Sequence, residues 1–353
     1  MIRVSAKCTC GPGEPFQATT ITRRDPGHGD VLIDIDYAGI CHSDVEHARQ
    51  LRAGAKTLYP LVPGHEITGV VSALGPAVTK FSIGDRVGVG NMVDSCRTCD
   101  SCRAGLEQYC TGGRVLTYNS LDRLGQPTHG GYSQKIVVHQ DFVVRIPANI
   151  PLQMAAPLLC AGITMYSPLR HWKAGPGMRV AILGFGGLGH VGVQISRALG
   201  AHTTVLDLSE AKRDDAIRLG ASEYCVTTTP GALAPYANAF DLLISTVPLS
   251  VDLDNYLGLL TLDGTFVNLS VPDKPLSISA AALLNNRRSV AGTRSGGIAE
   301  TQEMLDFCAQ HGIAAEVELI HADHIDAAYQ RLLAGDVRFR FVIDNSTLAK
   351  ATP

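Results

Sequence analysis

Four cysteines in one short segment have the residue type and the spacing that could hold a metal ion. The chain has 353 residues, and its C-x2-C-x2-C-x7-C cluster is formed by Cys96, Cys99, Cys102 and Cys110. Soft thiolates at short loop spacing favour a closed tetrahedral Zn²⁺ site, which is structural because no position is left open for chemistry. Two alternatives stay open: the C-x2-C-x2-C spacing also fits an iron–sulfur cluster, and an oxidising compartment would allow two disulfides.

A glycine-rich loop predicts a dinucleotide site. Residues 184–189 read Gly-Phe-Gly-Gly-Leu-Gly, and they follow an apolar run and open a helical stretch. The first glycine would make a tight turn, the second would let the backbone approach a pyrophosphate, and the last would allow the helix to pack on the strand. Free N–H groups at the helix start would then bind the phosphates. The candidate residues of this loop are Gly184, Gly186, Gly187, Leu188 and Gly189.

The residues that follow the next strand bear on the choice of dinucleotide. Asp207 lies eighteen residues beyond the last loop glycine. A carboxylate there accepts hydrogen bonds from the ribose hydroxyls of NAD and repels the 2′-phosphate of NADP. Ser209, Lys212 and Arg213 come soon after, and a hydroxyl with cations suits a phosphate. The repulsion between Asp207 and a 2′-phosphate at close range is larger than the attraction of one solvated lysine. The sequence therefore favours NAD.

The elements that must position these residues change along the chain. The first 155 residues contain short alternating or glycine-bounded runs, which predict strands at 31–37, 69–75 and 84–89. This pattern favours a β-rich, barrel-like domain.

From about residue 157, compact apolar strands alternate with helices. Strand, helix and strand at this spacing form a βαβ unit, which requires a right-handed crossover and a parallel sheet. Parallel strands are predicted at 179–183, 203–206, 241–245 and 265–269, followed by a helix at about 299–311 and a closing strand at 339–344. The fold class is therefore α/β, with a Rossmann-type doubly wound parallel sheet beside the β-rich domain.

Composition and charge exclude several classes of protein. The chain is 45% apolar and 18% charged, which is ordinary for a well-buried globular protein of about two domains. A net charge of −3 and a pI near 6.4 argue against nucleic acid or a membrane as partner. The N-terminal residues do not form a signal peptide, and no segment has the apolar length to span a bilayer. We therefore expect a cytoplasmic protein.

Three further motifs carry a family resemblance. They surround Cys41 in Gly-Ile-Cys-His-Ser-Asp, His65 in Pro-Gly-His-Glu, and Cys160 in Pro-Leu-Leu-Cys-Ala-Gly. The stretch 64–78 is similar to the signature of zinc-containing medium-chain alcohol dehydrogenases. Segments that resemble the cinnamyl alcohol dehydrogenase branch lie at 131–138, 157–171 and 335–344. The resemblance covers essentially the whole chain.

The resemblance implies two zinc ions per chain, one structural in the cysteine cluster and one catalytic. Cys41, His65 and Cys160 match the protein ligands of the catalytic zinc, a set that leaves one position open. Glu66 matches a carboxylate that can approach this metal. Asp44 matches the carboxylate that orients a ligand histidine.

The resemblance also implies a proton relay. Ser43 matches the hydroxyl that passes the proton towards the cofactor ribose, His42 matches a residue that touches the pyrophosphate, and Thr164 matches one that contacts the nicotinamide. The family places a histidine two residues after the Asp44 position, but here that residue is Glu46 and the histidine is His47. Either Glu46 ends the relay, or a local shift of the chain lets His47 do so, or the relay ends at the ribose and water.

The architecture expected from these observations is a GroES-like catalytic domain of residues 1–155 and 293–353 with both zinc sites, and a Rossmann domain of residues 156–292. The implied activity is hydride transfer between a primary, aromatic or allylic alcohol or aldehyde and NAD(P), in a homodimer. Two other functions stay open. One is reduction of a conjugated C=C bond, which the loss of a catalytic ligand would favour, and the other is a non-catalytic, zinc-stabilised binding protein.

Overall fold

The computed structural model describes residues 1–51, 56–247, 252–272 and 274–348. The chain divides into two compact units. The first comprises Met1–Ile163 and Gly296–Pro353, and the second comprises Thr164–Ser295.

The strands of the described residues are, in chain order, β1 (Ile2–Cys8), β2 (Gln17–Arg23), β3 (Asp30–Gly39), β4 (Ile67–Leu74), β5 (Arg86–Val89), β6 (Met92–Asp94), β7 (Val115–Leu116), β8 (Lys135–His139), β9 (Val144–Arg145), β10 (Arg179–Leu183), β11 (His202–Asp207), β12 (Glu223–Val226), β13 (Phe240–Ser245), β14 (Leu260–Asn268), β15 (Ser289–Gly292), β16 (Val317–His321) and β17 (Arg340–Asp344).

The α-helices of the same residues are α1 (His42–Ala48), α2 (Asp100–Arg103), α3 (Leu152–Ala155), α4 (Ala161–His171), α5 (Gly189–Ala198), α6 (Arg213–Leu219), α7 (Leu253–Leu257), α8 (Ala280–Leu284), α9 (Ile298–His311) and α10 (Ile325–Leu333). Within the described ranges, the structure contains no helix that combines the length and the apolar character needed to cross a membrane.

The first unit is built on a seven-stranded mixed sheet. Its strand order is β16-β17-β3-β4-β5-β9, and β8 also pairs with β3. β16 and β17 are parallel, whereas β3 is antiparallel to β17, β4 and β8. Apolar side chains such as Val31, Ile33, Ile67 and Val87 are buried together on this sheet. The predicted β-rich domain is therefore present.

The second unit is built on a six-stranded parallel sheet. Its order is β12-β11-β10-β13-β14-β15, and every neighbouring pair runs parallel. Strand β10 has the bounds that the sequence predicts, because its apolar run is buried and is ended by a glycine. The doubly wound arrangement predicted from the βαβ pattern is confirmed.

Candidate active site and metal centres

Three chain segments bring four possible metal ligands together in the first unit. The ligand atoms of Cys41, His65, Glu66 and Cys160 all lie within 4.8 Å of one another. Cys41 lies between β3 and α1, His65 and Glu66 precede β4, and Cys160 follows the short 3-10 helix Ala156–Leu159.

The two thiols of this group have the spacing of ligands that share one metal. Cys41 Sγ and Cys160 Sγ are 3.8 Å apart. Two sulfurs that each lie about 2.3 Å from a tetrahedral zinc are separated by about 3.8 Å. A hydrogen bond with Cys160 holds the pKa of Cys41 well below its usual range. Burial opposes this shift, and the charges of Arg340 and His65 support it. A donor set of two thiols and one imidazole therefore fits Zn²⁺.

Asp44 is a fully buried carboxylate that contacts two of these possible ligands, Cys41 and His65. Its Oδ2 accepts a hydrogen bond from the backbone N–H of Cys41 at 2.8 Å. Its Oδ1 accepts one from the backbone N–H of Gly64 at 3.2 Å and lies 3.1 Å from His65 Nδ1. An ionised Asp44 keeps the imidazole proton on Nδ1, so that Nε2 is available to a metal. Burial lowers the pKa of His65, but the neighbouring Asp44 and Cys41 raise it above its usual value.

Glu66 forms a buried ion pair with Arg340 beside the ligands. The side chains of Arg340 and Glu66 are 4% and 0% exposed. A Cβ atom at Gly39 would collide with the Glu66 carboxylate, so the glycine at the end of β3 makes room for it. Arg340 is not among the residues that the sequence motifs indicate. The signal that could have found it is a single cation in the otherwise apolar first part of β17.

Ser43 and Glu46 lie on α1, close to the ligand group in sequence. Ser43 Oγ lies 3.2 Å from Cys41 Sγ. Glu46 Oε1 lies 4.0 Å from His42 Nε2, one helical turn earlier. The helix therefore carries a hydroxyl next to a thiol ligand and a carboxylate next to an imidazole.

His47 has different neighbours from Glu46. Its Nδ1 accepts a hydrogen bond of 2.9 Å from Asn119 Nδ2, and its ring packs edge-on against Tyr118 at a centroid distance of 5.5 Å. Tyr118 also lies 5.7 Å from the His65 ring. Burial and the charge of Asp44 raise the pKa of Tyr118 well above its usual value, so its hydroxyl stays protonated. Tyr118 and Asn119 lie outside the motifs that the sequence presents.

The four-cysteine cluster is also assembled in the first unit. The Sγ atoms of Cys96, Cys99, Cys102 and Cys110 lie within 4.8 Å of one another. Backbone N–H donors, first that of Thr98 for Cys96 and that of Cys102 for Cys99, lower the pKa of these thiols to about 7 and about 5. Burial raises the pKa of Cys102 to about 12. The grouping of the four sulfurs around one point is the arrangement that metal ligands have.

The glycine loop lies in the second unit between β10 and α5. Gly184 has a φ of 95°, a conformation that favours glycine. A Cβ atom at Gly189 would collide with the carbonyl oxygen of Gly184, whereas one at Gly186 would have no atom within 4 Å. Gly187 and Leu188 complete the turn before α5, and Thr164 is a buried residue of α4. This backbone has the open approach that a pyrophosphate requires.

The carboxylate of Asp207 points back to this loop from the end of β11. Its Oδ2 accepts a hydrogen bond from the backbone N–H of Phe185 at 3.3 Å, and its Oδ1 accepts one from that of Leu208 at 2.7 Å. The negative charge is thus fixed where the loop and the second strand meet.

Arg213, one of the cations that would suit a phosphate, is engaged elsewhere. Its Nη2 donates to Glu210 Oε1 at 2.8 Å, and its Nη1 donates to the Tyr224 carbonyl at 2.9 Å. Ser209 and Lys212 lie at the two ends of the short turn that contains Glu210.

The fold and its two metal-capable groups define a metal-dependent dehydrogenase. Residues 27–148 match the family described as alcohol dehydrogenase GroES-like domain, and residues 187–310 match the zinc-binding dehydrogenase family. The chain therefore belongs to the zinc-containing medium-chain alcohol dehydrogenases, which confirms the resemblance seen in the sequence.

Individual relatives narrow the assignment to the cinnamyl alcohol dehydrogenase branch. The NADP-dependent alcohol dehydrogenase C 1 of Mycolicibacterium smegmatis is 56% identical over 349 residues, which cover 99% of each chain. An aldehyde reductase of Escherichia coli is 50% identical over 95% of this chain and 96% of its own. The structure of a cinnamyl alcohol dehydrogenase from Sorghum bicolor superposes with a TM-score of 0.95 at 40% identity, over 100% of both chains. The chain is an oxidoreductase that interconverts alcohols and aldehydes with NAD(P).

Proposed function

We propose that this chain acts on primary alcohols and aldehydes that carry an aromatic or allylic group, with one catalytic and one structural zinc ion. The observation that carries the proposal is the convergence of Cys41, His65 and Cys160, with Asp44 behind His65. A catalytic zinc needs three protein ligands and an open position, whereas four thiolates close a site. A C=C reductase would be favoured by loss of a ligand, and none is lost. A binding protein would not need Ser43 beside Cys41.

The chemistry divides between the bound groups and the chain. When bound, zinc supplies a Lewis acid for the substrate oxygen and the nicotinamide carries the hydride. Asp44 holds His65 in the tautomer that leaves Nε2 available. Ser43 can donate and accept a proton at once, so its hydroxyl suits transfer of the substrate proton. His42 and Thr164 are proposed to contact the cofactor.

Glu46 is the proposed end of the relay. It faces His42 on α1, whereas His47 accepts a hydrogen bond from Asn119. Glu46→Gln should therefore alter the pH profile of kcat/KM, and His47→Gln should leave its shape unchanged. If Glu46→Gln has the same pH profile of kcat/KM as the parent, Glu46 is a surface carboxylate without a part in the relay, and the relay ends at the ribose.

NAD(H) is the proposed preferred cofactor. Asp207 holds a negative charge at the loop, and Arg213 is occupied by Glu210. The Mycolicibacterium smegmatis relative is named as NADP-dependent, so the proposed cofactor preference of this chain differs from that in the name of this relative.

Asp207→Ser tests this preference. Removal of the carboxylate should raise the ratio of kcat/KM for NADP over NAD by at least about tenfold, equivalent to about 1.4 kcal/mol. Lys212→Ala is the matched variant and should change this ratio less. A parent enzyme that already prefers NADP strongly would show that Ser209 and Lys212 dominate.

A homodimer in the cytoplasm is the proposed assembly and location. Strand β15 ends the parallel sheet, and a free edge strand can pair with a second copy. Leu262 and Leu284 of the same unit are 64% and 78% exposed. Free cysteines suit a reducing compartment. Light scattering at several concentrations tests the dimer. The catalytic domain is proposed to comprise residues 1–155 and 293–353, while the first compact unit extends to Ile163 and so includes Cys160.

The central experiment is a panel of aldehydes with NADH and NADPH, run beside a measurement of zinc content. We expect turnover of aromatic or allylic aldehydes and two zinc ions per chain. Cys160→Ala should abolish alcohol oxidation and still bind the reduced cofactor, because the glycine loop does not depend on this residue. Turnover in Cys160→Ala within about tenfold of the parent would contradict its assignment as a ligand.

A further inference from the structure

The cysteine loop supplies the cap of a distant helix. Helix α9 has Gly297 as its N-cap residue, so no side chain at that position can accept a hydrogen bond from the first turn. Glu107, which lies between the third and fourth cysteines of the cluster, takes this role. Its Oε2 accepts a hydrogen bond of 3.1 Å from the backbone N–H of Ile298, 191 residues later in the chain. Its negative charge also faces the positive end of the helix dipole.

The backbones of the loop and the helix touch at this point. A Cβ atom at Gly297 would collide with the carbonyl oxygen of Gly105 and would lie 2.6 Å from Glu107 Oε2. Glu107 begins the 3-10 helix Glu107–Tyr109, which leads directly into Cys110. The position of the α9 start is therefore tied to the segment that carries the cluster.

The same helix packs against the residues that follow a candidate catalytic ligand, Cys160. Met304 of α9 is fully buried, and a Cβ atom at Gly162 would lie 2.9 Å from its Sδ. Gly162 comes two residues after Cys160 in the chain. A Cβ atom at Gly296, just before α9, would lie 2.5 Å from Ile163 Cδ1. Helix α9 and Gly296 thus pack against Gly162 and Ile163, which follow Cys160 in the chain.

We propose that Glu107 is a positioning residue for Cys160. By capping α9, it lets the four-cysteine loop fix the surface that holds the Cys160 segment in place. The inference rests on the proposed role of Cys160 as a ligand, and it assigns to the structural cluster a task beyond stabilising its own loop.

Hydrogen exchange of the full-length protein tests this proposal without relying on turnover. We expect Glu107→Ala to speed amide exchange about tenfold in residues 298–304 and in residues 157–163. Glu107→Gln should fall between this variant and the parent, because its amide oxygen can still accept the bond without the charge. The control is Asp100→Ala in the same loop, where Asp100 is fully exposed and should change neither segment.

A second variant and a second measurement keep the test decisive. Met304→Ala removes the side chain that lies against Gly162, and it should speed exchange in residues 157–163 with the cap intact. Where Glu107→Ala gives no folded protein, Glu107→Gln tests the cap. Both variants should also release one of the two zinc ions faster to a chelator. Unchanged exchange in residues 157–163 in either variant would overturn the proposal. A parent that binds one zinc per chain would contradict the proposed function, while the exchange data would still decide the role of Glu107.

Discussion

The Asp44→Asn substitution removes a buried negative charge while keeping the size of the side chain. In the parent protein, Oδ2 of Asp44 serves the backbone N–H of Cys41, and Oδ1 serves both the backbone N–H of Gly64 and the ring of His65. An asparagine has one oxygen for these donors. Either orientation of its amide therefore points an NH₂ group at a donor.

The cost of this mismatch falls on stability and on metal binding. A buried donor without a partner costs about 1–3 kcal/mol. His65 can avoid the clash by moving its proton to Nε2, but this removes the lone pair that a metal would use. Loss of the group that orients a metal-binding histidine lowers metal affinity by about 10- to 100-fold, which corresponds to about 1.4–2.7 kcal/mol. We expect both effects in Asp44→Asn.

Competition with a chromogenic chelator measures the zinc affinity, and urea unfolding of the metal-free protein measures the stability. The matched control is Asp30→Asn, which alters another buried carboxylate of the same unit, one that is paired with Arg24 and accepts a bond from the Gly27 N–H. Asp30→Asn should lower stability and leave zinc affinity unchanged. Equal zinc affinity in Asp44→Asn and the parent would refute the role of Asp44 in orienting His65.

Three further predictions address other parts of the molecule. Cys99→Ser should lower zinc content from two per chain towards one and destabilise its loop by several kcal/mol, since structural metal binding contributes directly to folding; unchanged stoichiometry and melting temperature would exclude a zinc cluster. Ser43→Ala should slow turnover by about 10²- to 10⁴-fold with both zinc ions retained, and a smaller effect would remove Ser43 from the relay. Burial and the charge of Arg23 lower the pKa of His129 to about 4. Its folded form therefore binds fewer protons than the unfolded chain, and stability is lost as the pH falls from about 6.5 to 4. His129→Asn should reduce this loss by on the order of 1–2 kcal/mol in urea unfolding at pH 7 and pH 5, whereas parallel pH curves for the variant and the parent would contradict the shift.

The predictable parts of the fold are those that local sequence determines. The glycine loop was identified because its turn, its helix start and the preceding strand all lie within about ten residues. The four cysteines were grouped because fifteen residues contain them all. The ligand group of Cys41, His65 and Cys160 is different. Its members come from three segments, and it was the family resemblance, not their spacing in the sequence, that predicted them as one ligand group.

Arg340 shows why the remainder was not predictable. Glu66 and Arg340 are 274 residues apart, and no local pattern links them. They meet because β17 pairs antiparallel with β3, with Val342 opposite Gly39, and this register carries Arg340 past the end of β3. Register between distant strands depends on the packing of both faces of the sheet. The contact of Glu107 with α9 is equally non-local, and it was missed for the same reason.

The histidine of this chain stands at position 47, one residue later than in the family, and the geometry of α1 shows why this difference matters for the relay. Consecutive side chains on an α-helix point about 100° apart, so His47 cannot take the direction of residue 46 while α1 remains regular. The structure gives α1 as an uninterrupted helix from His42 to Ala48. His47 is also held from outside the helix, by Asn119 and the ring of Tyr118, and a local rearrangement would have to break both contacts. Glu46 needs no such rearrangement, because the residue four positions earlier, His42, lies on the same face. A relay that ends at His47 would therefore need a local shift of the chain that breaks these contacts, whereas the proposed relay through Glu46 needs no change in α1.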